Sequence, residues 1–189
     1  MNLNDIFIKE TTNEDFNDIM AVEKAAFTYD TVADLTADLL SDKTAEPMVS
    51  LLAYHDGKAV GHILFTRAYF KYSPQQPMMH SLGPLAVITE YQGKGIGKRL
   101  IAKGIELIRS MGSHLVFVLG HKNYYPLAGF TPDAEALGYP APYPILERFK
   151  DCWMAMPISP EGYGIGKGTI GCSEAFDKPE HWRDDEEDR

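Results

Sequence analysis

Apolar residues recur along this chain with two different periods, and the changes of period predict an alternation of strands and helices. Short apolar runs predict strands at residues 6–9, 48–54, 59–70, 78–87, 115–119 and 152–158. A spacing of three to four residues predicts helices at 16–27, 31–40 and 95–111, and one or two helical turns at 123–128. Helices that follow strands in this way favour an α/β fold.

Local signals support these elements. Thr12 supplies an N-cap for the first helix, whose predicted inward face is Phe16, Ile19, Met20, Val22 and Phe27. The second helix should turn Leu35 and Leu39 inward. The Asp-Gly pair at 56–57 predicts a tight hairpin between the strands on either side of it.

Composition and charge restrict the class of protein. A chain of 189 residues with 44% hydrophobic content can bury one core, so we predict one domain at 1–177 and an acidic, disordered tail at 178–189. The net charge of −9 argues against nucleic acid and favours a cationic partner. No apolar run approaches a membrane span and the N-terminus lacks an export pattern, which predicts a cytoplasmic protein without a membrane partner. Cys152 and Cys172 lack metal spacing, so we expect buried thiols and no metal site.

A glycine-rich loop at residues 92–99 lies between a strand pattern and a helix pattern. Unpaired N–H groups and the positive end of the macrodipole make a helix N-terminus an anion site, which glycines open to phosphate. The dinucleotide fingerprint fails because Leu100 stands in place of its third glycine. The Walker motif fails because Gly93 and Gly97 are one residue too close and Arg99, which follows the lysine, has no hydroxyl group.

The pattern that does fit is Gln/Arg-x-x-Gly-x-Gly/Ala, met by Gln92, Gly95 and Gly97, and here the chain resembles the GNAT superfamily of acetyl-CoA-dependent N-acetyltransferases. Residues 82–87 are similar to the splayed central strand of that fold. Residues 120–130 are similar to its Tyr-x-x-x-Gly-Phe signature, in the form found in one bacterial branch of stand-alone enzymes. The resemblance covers about residues 5 to 177.

The resemblance implies a single GNAT-like α/β domain, in which helices flank a mixed central sheet with splayed strands, and acetyl-CoA as co-substrate. Backbone N–H groups near the splay would hold the pantetheine arm and polarise the thioester carbonyl. The implied cofactor-binding residues are Leu85, Ala86, Val87, Gln92, Gly93, Lys94, Gly95, Ile96, Gly97, Lys98 and Asn123.

The resemblance assigns the proton donor for the departing thiolate to Tyr125, four residues before the glycine of Gly-Phe, with Tyr124 as the alternative. Many relatives carry a glutamate as general base where this chain has Ser81. His80 titrates in a suitable range but alternates to the opposite face of the strand, and Glu23 on the first helix could line the acceptor site. A water chain that ends on backbone is the remaining alternative.

Three functions stay open on the sequence. The first is an N-acetyltransferase acting on a small or peptidic primary amine by direct attack in a ternary complex. The second is a non-catalytic acyl-CoA-binding regulatory module, and the third is a nucleotide-binding protein, which the loop spacing disfavours. A possible homodimer would use an exposed edge at 158–170.

Two loops complete the sequence predictions. The proline-rich segment 131–149 should be a long loop, either beside the acceptor pocket or wrapped around the core. The glycine-rich segment 162–168 is interpreted as a hairpin that leads to a last strand, and not as a second phosphate loop.

Overall fold

Seven strands and three helices make up the computed structural model, which describes residues 3–182. The strands are β1 (Ile6–Glu10), β2 (Val49–His55), β3 (Lys58–Phe70), β4 (Met79–Val87), β5 (Leu115–Leu119), β6 (Trp153–Pro157) and β7 (Ile170–Gly171). The helices are α1 (Phe16–Ala26), α2 (Thr31–Ser41) and α3 (Ile96–Ser110). The order of elements confirms the predicted α/β class, and the bounds of most elements agree with the sequence to within one or two residues.

The sheet is mixed, with the strand order β1-β2-β3-β4-β5-β6, and β7 pairs with the far end of β3. All neighbours are antiparallel except β4 and β5, which are parallel. The β2–β3 hairpin turns at Asp56 and Gly57, which have φ values of 47° and 77°. Positive φ at both central positions is the geometry of a type I′ turn, so the predicted hairpin is confirmed.

Successive residues of β3 show which helix covers each face of the sheet. A Cβ built on Gly61 would lie 3.1 Å from Leu100 of α3, whereas the next residue, His62, contacts Glu23 of α1. Side chains alternate across a strand, so α3 packs on one face and α1 on the other. The inward face of α1 carries Ile19, Val22 and Glu23.

Two details of the predicted helix faces are wrong. Phe16 is 42% exposed because a short 3-10 turn precedes α1 and makes Phe16 its first residue. Leu35 of α2 is only half-buried, since Ala33, Thr36 and Leu39 form the buried stripe of that helix.

The central strands separate along part of their length. β4 pairs with β5 only from Met79 to Ser81, whereas it stays paired with β3 as far as Val87. From Leu82 onward, the side of β4 that faces β5 therefore has no partner among the strands of residues 3–182. The predicted splay is confirmed, and it opens a gap in the middle of the sheet.

The proline-rich loop 131–149 packs around a second hydrophobic cluster instead of standing beside the site. Tyr139 and Ala134 are buried in this cluster against Trp153. Thr131 exchanges two backbone hydrogen bonds with Ala155 and so covers the edge strand β6. The placement beside the acceptor pocket was wrong, because the loop buries apolar side chains here and protects a sheet edge.

The glycine-rich segment does not form a hairpin. It makes a 3-10 turn, Gly162–Ile165, and the chain then joins β3 through β7, so the predicted last strand exists. Ile158 and Ile170 are both buried, whereas Pro160, Glu161 and Lys167 between them are exposed, and the homodimer stays a prediction.

The packed chain continues beyond residue 177, the expected end of the domain. A 3-10 turn, Pro179–Trp182, carries Trp182, which is 2% exposed and lies 5.4 Å from Trp153 between ring centroids. Burial of this indole stabilises a segment that its charged neighbours alone would leave in water. The acidic block 184–188 of the predicted tail lies outside the described residues.

Candidate active site

The splay of β4 from β5 opens a cavity of about 1060 Å³. The loop before α3 and the first turn of that helix line one part of it, which we call the loop end, and Phe27 and Val32, at the junction of α1 and α2, line another, which we call the helix-junction end. Leu82 and Val87 of β4 both line the cavity and are five residues apart, a length of roughly 16 Å.

The loop end has the geometry of an anion cradle. Gly95 is the N-cap residue of α3 with φ of 85°, and its missing side chain leaves the helix uncapped. The first helical backbone bond runs from Arg99 N–H to Gly95 O, at 3.2 Å, so the preceding amides are not used by the helix. Around Gly93, which has φ of 70°, the space that a Cβ would take is open to 4 Å within the described chain. Together with Lys98, these amides fit a phosphate group.

Gly97 is required for a different reason. A Cβ at this position would overlap the hydroxyl oxygen of Tyr124, which packs directly on the first turn of α3. The glycine therefore lets the Tyr124 side chain approach the helix N-terminus, beside the phosphate cradle.

The structure brings most of the sequence-predicted cofactor residues to this cavity and leaves three out. Ala86 is buried, Lys94 donates to the carbonyl of Glu90 and lies over the Tyr91 ring, and Asn123 is exposed outside the cavity. The residues that do line it are Leu85, Val87, Gln92, Gly93, Gly95, Ile96, Gly97 and Lys98.

Tyr125 lies between the two ends. Its ring packs against Gly120, where a Cβ would overlap it, and makes edge contacts with Tyr124 and Phe130. The side chain lines the cavity while most of its surface is covered. Burial raises the pKa of Tyr125 above the ordinary value of 10.0, so the phenol keeps its proton at neutral pH and can donate it.

His80 does not reach the cavity, which corrects its prediction as a base. The ring is fully buried, with Nε2 2.9 Å from the carbonyl of Pro47 and Nδ1 2.9 Å from the hydroxyl of Ser113. Burial lowers the pKa of His80 to about 4. It is a structural histidine that ties two loops to β4.

Glu23 is likewise withdrawn from the cavity. Its Oε1 lies 2.5 Å from Nδ1 of His62, whose Nε2 lies 3.0 Å from the hydroxyl of Ser50. Burial raises the pKa of Glu23, against the opposing effect of His62. The carboxylate fills an inward position of α1 and joins a polar chain within the core, so the prediction that it lines the acceptor site was wrong.

The helix-junction end carries no acidic side chain from the described residues, although the net charge of the whole chain is −9. Phe27, Val32 and His181 line it, Leu82 and Cys152 also line the cavity, and among residues 3–182 no aspartate or glutamate lines any part of the cavity. The negative charge of the described chain therefore lies outside the cavity lining, and the cationic acceptor stays a prediction.

His181 is the functional candidate that sequence reasoning missed. It belongs to the segment interpreted as an acidic tail, and only the neighbouring Trp182 signalled that this segment could pack. Val32, Tyr91 and Cys152 also line the cavity without any local pattern that marks them.

Residues 11–130 match the model of the Acetyltransferase (GNAT) family, which spans more than half of the chain. The chain belongs to the GNAT family. It is 54% identical over 164 residues to the Uncharacterized N-acetyltransferase YjhQ of Escherichia coli (strain K12), and the match covers 87% of this chain and 90% of that protein. It is 28% identical to the Uncharacterized N-acetyltransferase YhbS of the same strain, over 59% and 65% of the two chains.

Solved GNAT structures share the fold. YhbS from Escherichia coli, in complex with CoA, superposes with a TM-score of 0.80 at 21% identity and covers 92% of each chain. A GNAT acetyltransferase from Brucella melitensis, in complex with acetyl-CoA, has a TM-score of 0.70 at 24% identity over 91% of this chain and 98% of the other. Within residues 3–182, none of the helices has the length and apolar character of a membrane span.

In this GNAT acetyltransferase, the strand position that often carries the family's glutamate is Ser81. Its hydroxyl is buried, has no hydrogen-bond partner within the described chain and does not line the cavity. Neither Ser81 nor the two bases suggested by the sequence is therefore in position to touch an acceptor.

Proposed function

We propose that this GNAT acetyltransferase moves the acetyl group of acetyl-CoA to a primary amine of a small molecule or peptide, by direct attack in a ternary complex. The observation that carries the proposal is one continuous cavity. It joins an uncapped helix N-terminus, an unpaired strand edge and a protonated tyrosine.

The residues fit acetyl-CoA along this path. The amides before Arg99 and the charge of Lys98 would bind the pyrophosphate. The strand edge from Leu82 to Val87 would bond the pantetheine amides as a missing neighbour strand would. Binding would place the thioester beside Tyr125, near the middle of the cavity.

The same groups would serve the reaction. Backbone N–H groups at Leu85–Val87 would stabilise the oxyanion that forms when the amine nitrogen attacks the carbonyl carbon. As the C–S bond breaks, Tyr125 would donate its proton to the thiolate, a transfer that its raised pKa permits at neutral pH. No covalent enzyme intermediate is needed.

The walls of the helix-junction end favour an acceptor with one amine and an apolar body. Phe27, Val32 and Leu82 offer apolar contact, and no carboxylate within residues 3–182 lines the cavity to pair a second ammonium group. An unpaired buried charge is strongly disfavoured, so polyamines should be poor acceptors. Aryl-alkyl or alkyl monoamines, or the α-amine of an apolar peptide terminus, fit better.

Calorimetric titration with acetyl-CoA, CoA and ATP, followed by a CoA-release assay with a panel of amines, tests the proposal. We expect both CoA compounds to bind, ATP to be silent, and monoamines to be acetylated. A variant with both Gly95 and Gly97 changed to valine should lose CoA binding, whereas Ala102→Val on the exposed side of α3 should retain it. Binding without acetyl transfer to any amine would favour the regulatory acyl-CoA-binding module instead.

A further inference from the structure

The turn Pro179–Trp182 carries a histidine that lines the cavity, and the tryptophan next to it fixes the turn on the protein. Trp182 lies in the second hydrophobic cluster, and its indole N–H donates to the carbonyl of Phe176 at 3.0 Å. His181 lines the cavity, with its ring centroid 5.9 Å from that of Phe176. The buried indole therefore determines the position of the imidazole.

Contacts of this segment place His181 beside α2. Lys178 pairs with Asp38 of α2 at 3.9 Å, and the backbone N–H of Ala175 donates to Asp42, just after α2, at 2.9 Å. On its other side, Trp182 packs on Trp153, which adjoins the cavity-lining Cys152. The loop end, by contrast, is built on α3.

An acceptor amine enters as an ammonium ion and must lose a proton before its nitrogen can attack. In the described chain, the other titratable side chains that line the cavity are tyrosines, Lys98, His121 and Cys152. Lys98 lies in the first turn of α3, and His121 Nδ1 accepts the backbone N–H of Asn123 at 3.2 Å. Tyr125 must stay protonated in order to act as an acid.

We propose that His181 is the general base that takes the proton from the acceptor ammonium. This inference rests on the proposed acetyl transfer. One ammonium proton passes to the imidazole, and the neutral nitrogen then attacks the thioester carbon. The C–S bond breaks, Tyr125 protonates the sulfur, and the second amine proton returns through solvent to the tyrosinate. The imidazolium releases its proton to water, so the products are the amide, CoA thiol and one proton.

The electrostatic surroundings leave His181 able to accept that proton. Burial lowers its pKa below 6.5, and Lys178 acts in the same direction. The carboxylates of Glu180 and Asp38 and a hydrogen bond to the backbone of Ala175 raise it and only partly offset the burial. The imidazole is therefore neutral at pH 7 before the acceptor binds.

A comparison of two acceptors of nearly the same shape can show whether His181 acts as a base or only positions the acceptor. Phenylethylamine is an ammonium ion in mildly alkaline buffer, whereas its β,β-difluoro analogue is largely deprotonated and needs no base. We expect His181→Gln to lower kcat/KM for phenylethylamine by about 10²-fold or more and to affect the fluorinated amine far less. Added imidazole should restore part of the activity of His181→Ala.

His121→Gln is the matched control, because it removes the other histidine that lines the cavity. It should leave the ratio of the two acceptors unchanged. An equal loss for both acceptors in His181→Gln, or no loss at all, would overturn the proposed role. Calorimetry should show unchanged acetyl-CoA affinity in His181→Gln.

A measurement without turnover keeps this inference separate from the proposed function. In isotope-labelled protein, the imidazole resonance of His181, assigned by its loss in His181→Gln, should shift when phenylethylamine is added to the CoA complex. An unchanged resonance would contradict the base assignment. A shifted resonance in a protein that acetylates neither amine would refute only the proposed transfer.

Discussion

The two ends of the cavity are built in different ways. The loop end comes from one continuous stretch, residues 92–98, and consists mostly of backbone. The helix-junction end is assembled from side chains about 150 residues apart in sequence, from Phe27 to His181. An anion site made of amides needs only glycines and a helix start. A pocket for an acceptor body needs walls on several sides, which distant parts of the chain must supply.

The largest effect should come from filling the loop end. Gly97→Val places a branched side chain where a Cβ already overlaps the Tyr124 hydroxyl, so we expect no detectable acetyl-CoA binding by calorimetry. Ala102→Val, at an exposed position of the same helix, tests the general cost of a β-branched residue in α3. Normal affinity in Gly97→Val would show that phosphate does not bind at this helix start.

A substitution of Glu23 tests whether the buried polar chain that it forms with His62 and Ser50 lies outside the acceptor site. Glu23→Ala removes a fully buried partner of His62 and should lower the free energy of unfolding by about 4 kcal/mol in urea. The kcat/KM of the folded variant should stay within a few-fold of wild type. Lys24→Ala, the exposed neighbour on α1, should change neither quantity. A stable Glu23→Ala protein with lost activity would restore Glu23 as a base.

The lowered pKa of His80 predicts how the free energy of unfolding depends on pH. Its pKa is lowered from 6.5 to about 4 by burial, so between these values the unfolded chain binds a proton that the folded chain does not. The free energy of unfolding should therefore fall as the pH falls through this window, by up to about 3 kcal/mol. Urea titrations at several pH values measure it. The same slope in His80→Gln would contradict the assignment.

The smallest effect, expressed as a free energy, should come from Tyr125, which lies between the two ends of the cavity. Tyr125→Phe should lower kcat by about 10²-fold, equivalent to ~2.7 kcal/mol, without changing acetyl-CoA affinity. Tyr124→Phe, which alters the tyrosine packed on Gly97, should affect binding more than kcat. If Tyr124→Phe showed the larger loss in kcat, the proton donor would have to be reassigned to Tyr124.

Local chemistry explains why the prediction of the fold was largely successful. The Asp56-Gly57 turn, the cradle glycines and the weak pairing at residues 83–84 each depend on neighbours in sequence, so their patterns could be interpreted directly. The errors arose where residues that are distant in sequence pack together. The place of loop 131–149 stayed open because its sequence does not reveal that Tyr139 packs on Phe117 and Trp153.

The sequence by itself determined the order of the elements, the family resemblance and the uncapped start of α3, because the amides of one loop and one helix turn are neighbours in the chain. Only the tertiary structure decided which titratable groups reach the cavity. It buried His80 and Glu23 in the core and brought His181 to the cavity through the packing of Trp182. Burial and long-range contact set both the position and the pKa of a side chain, and neither is encoded in its sequence neighbours.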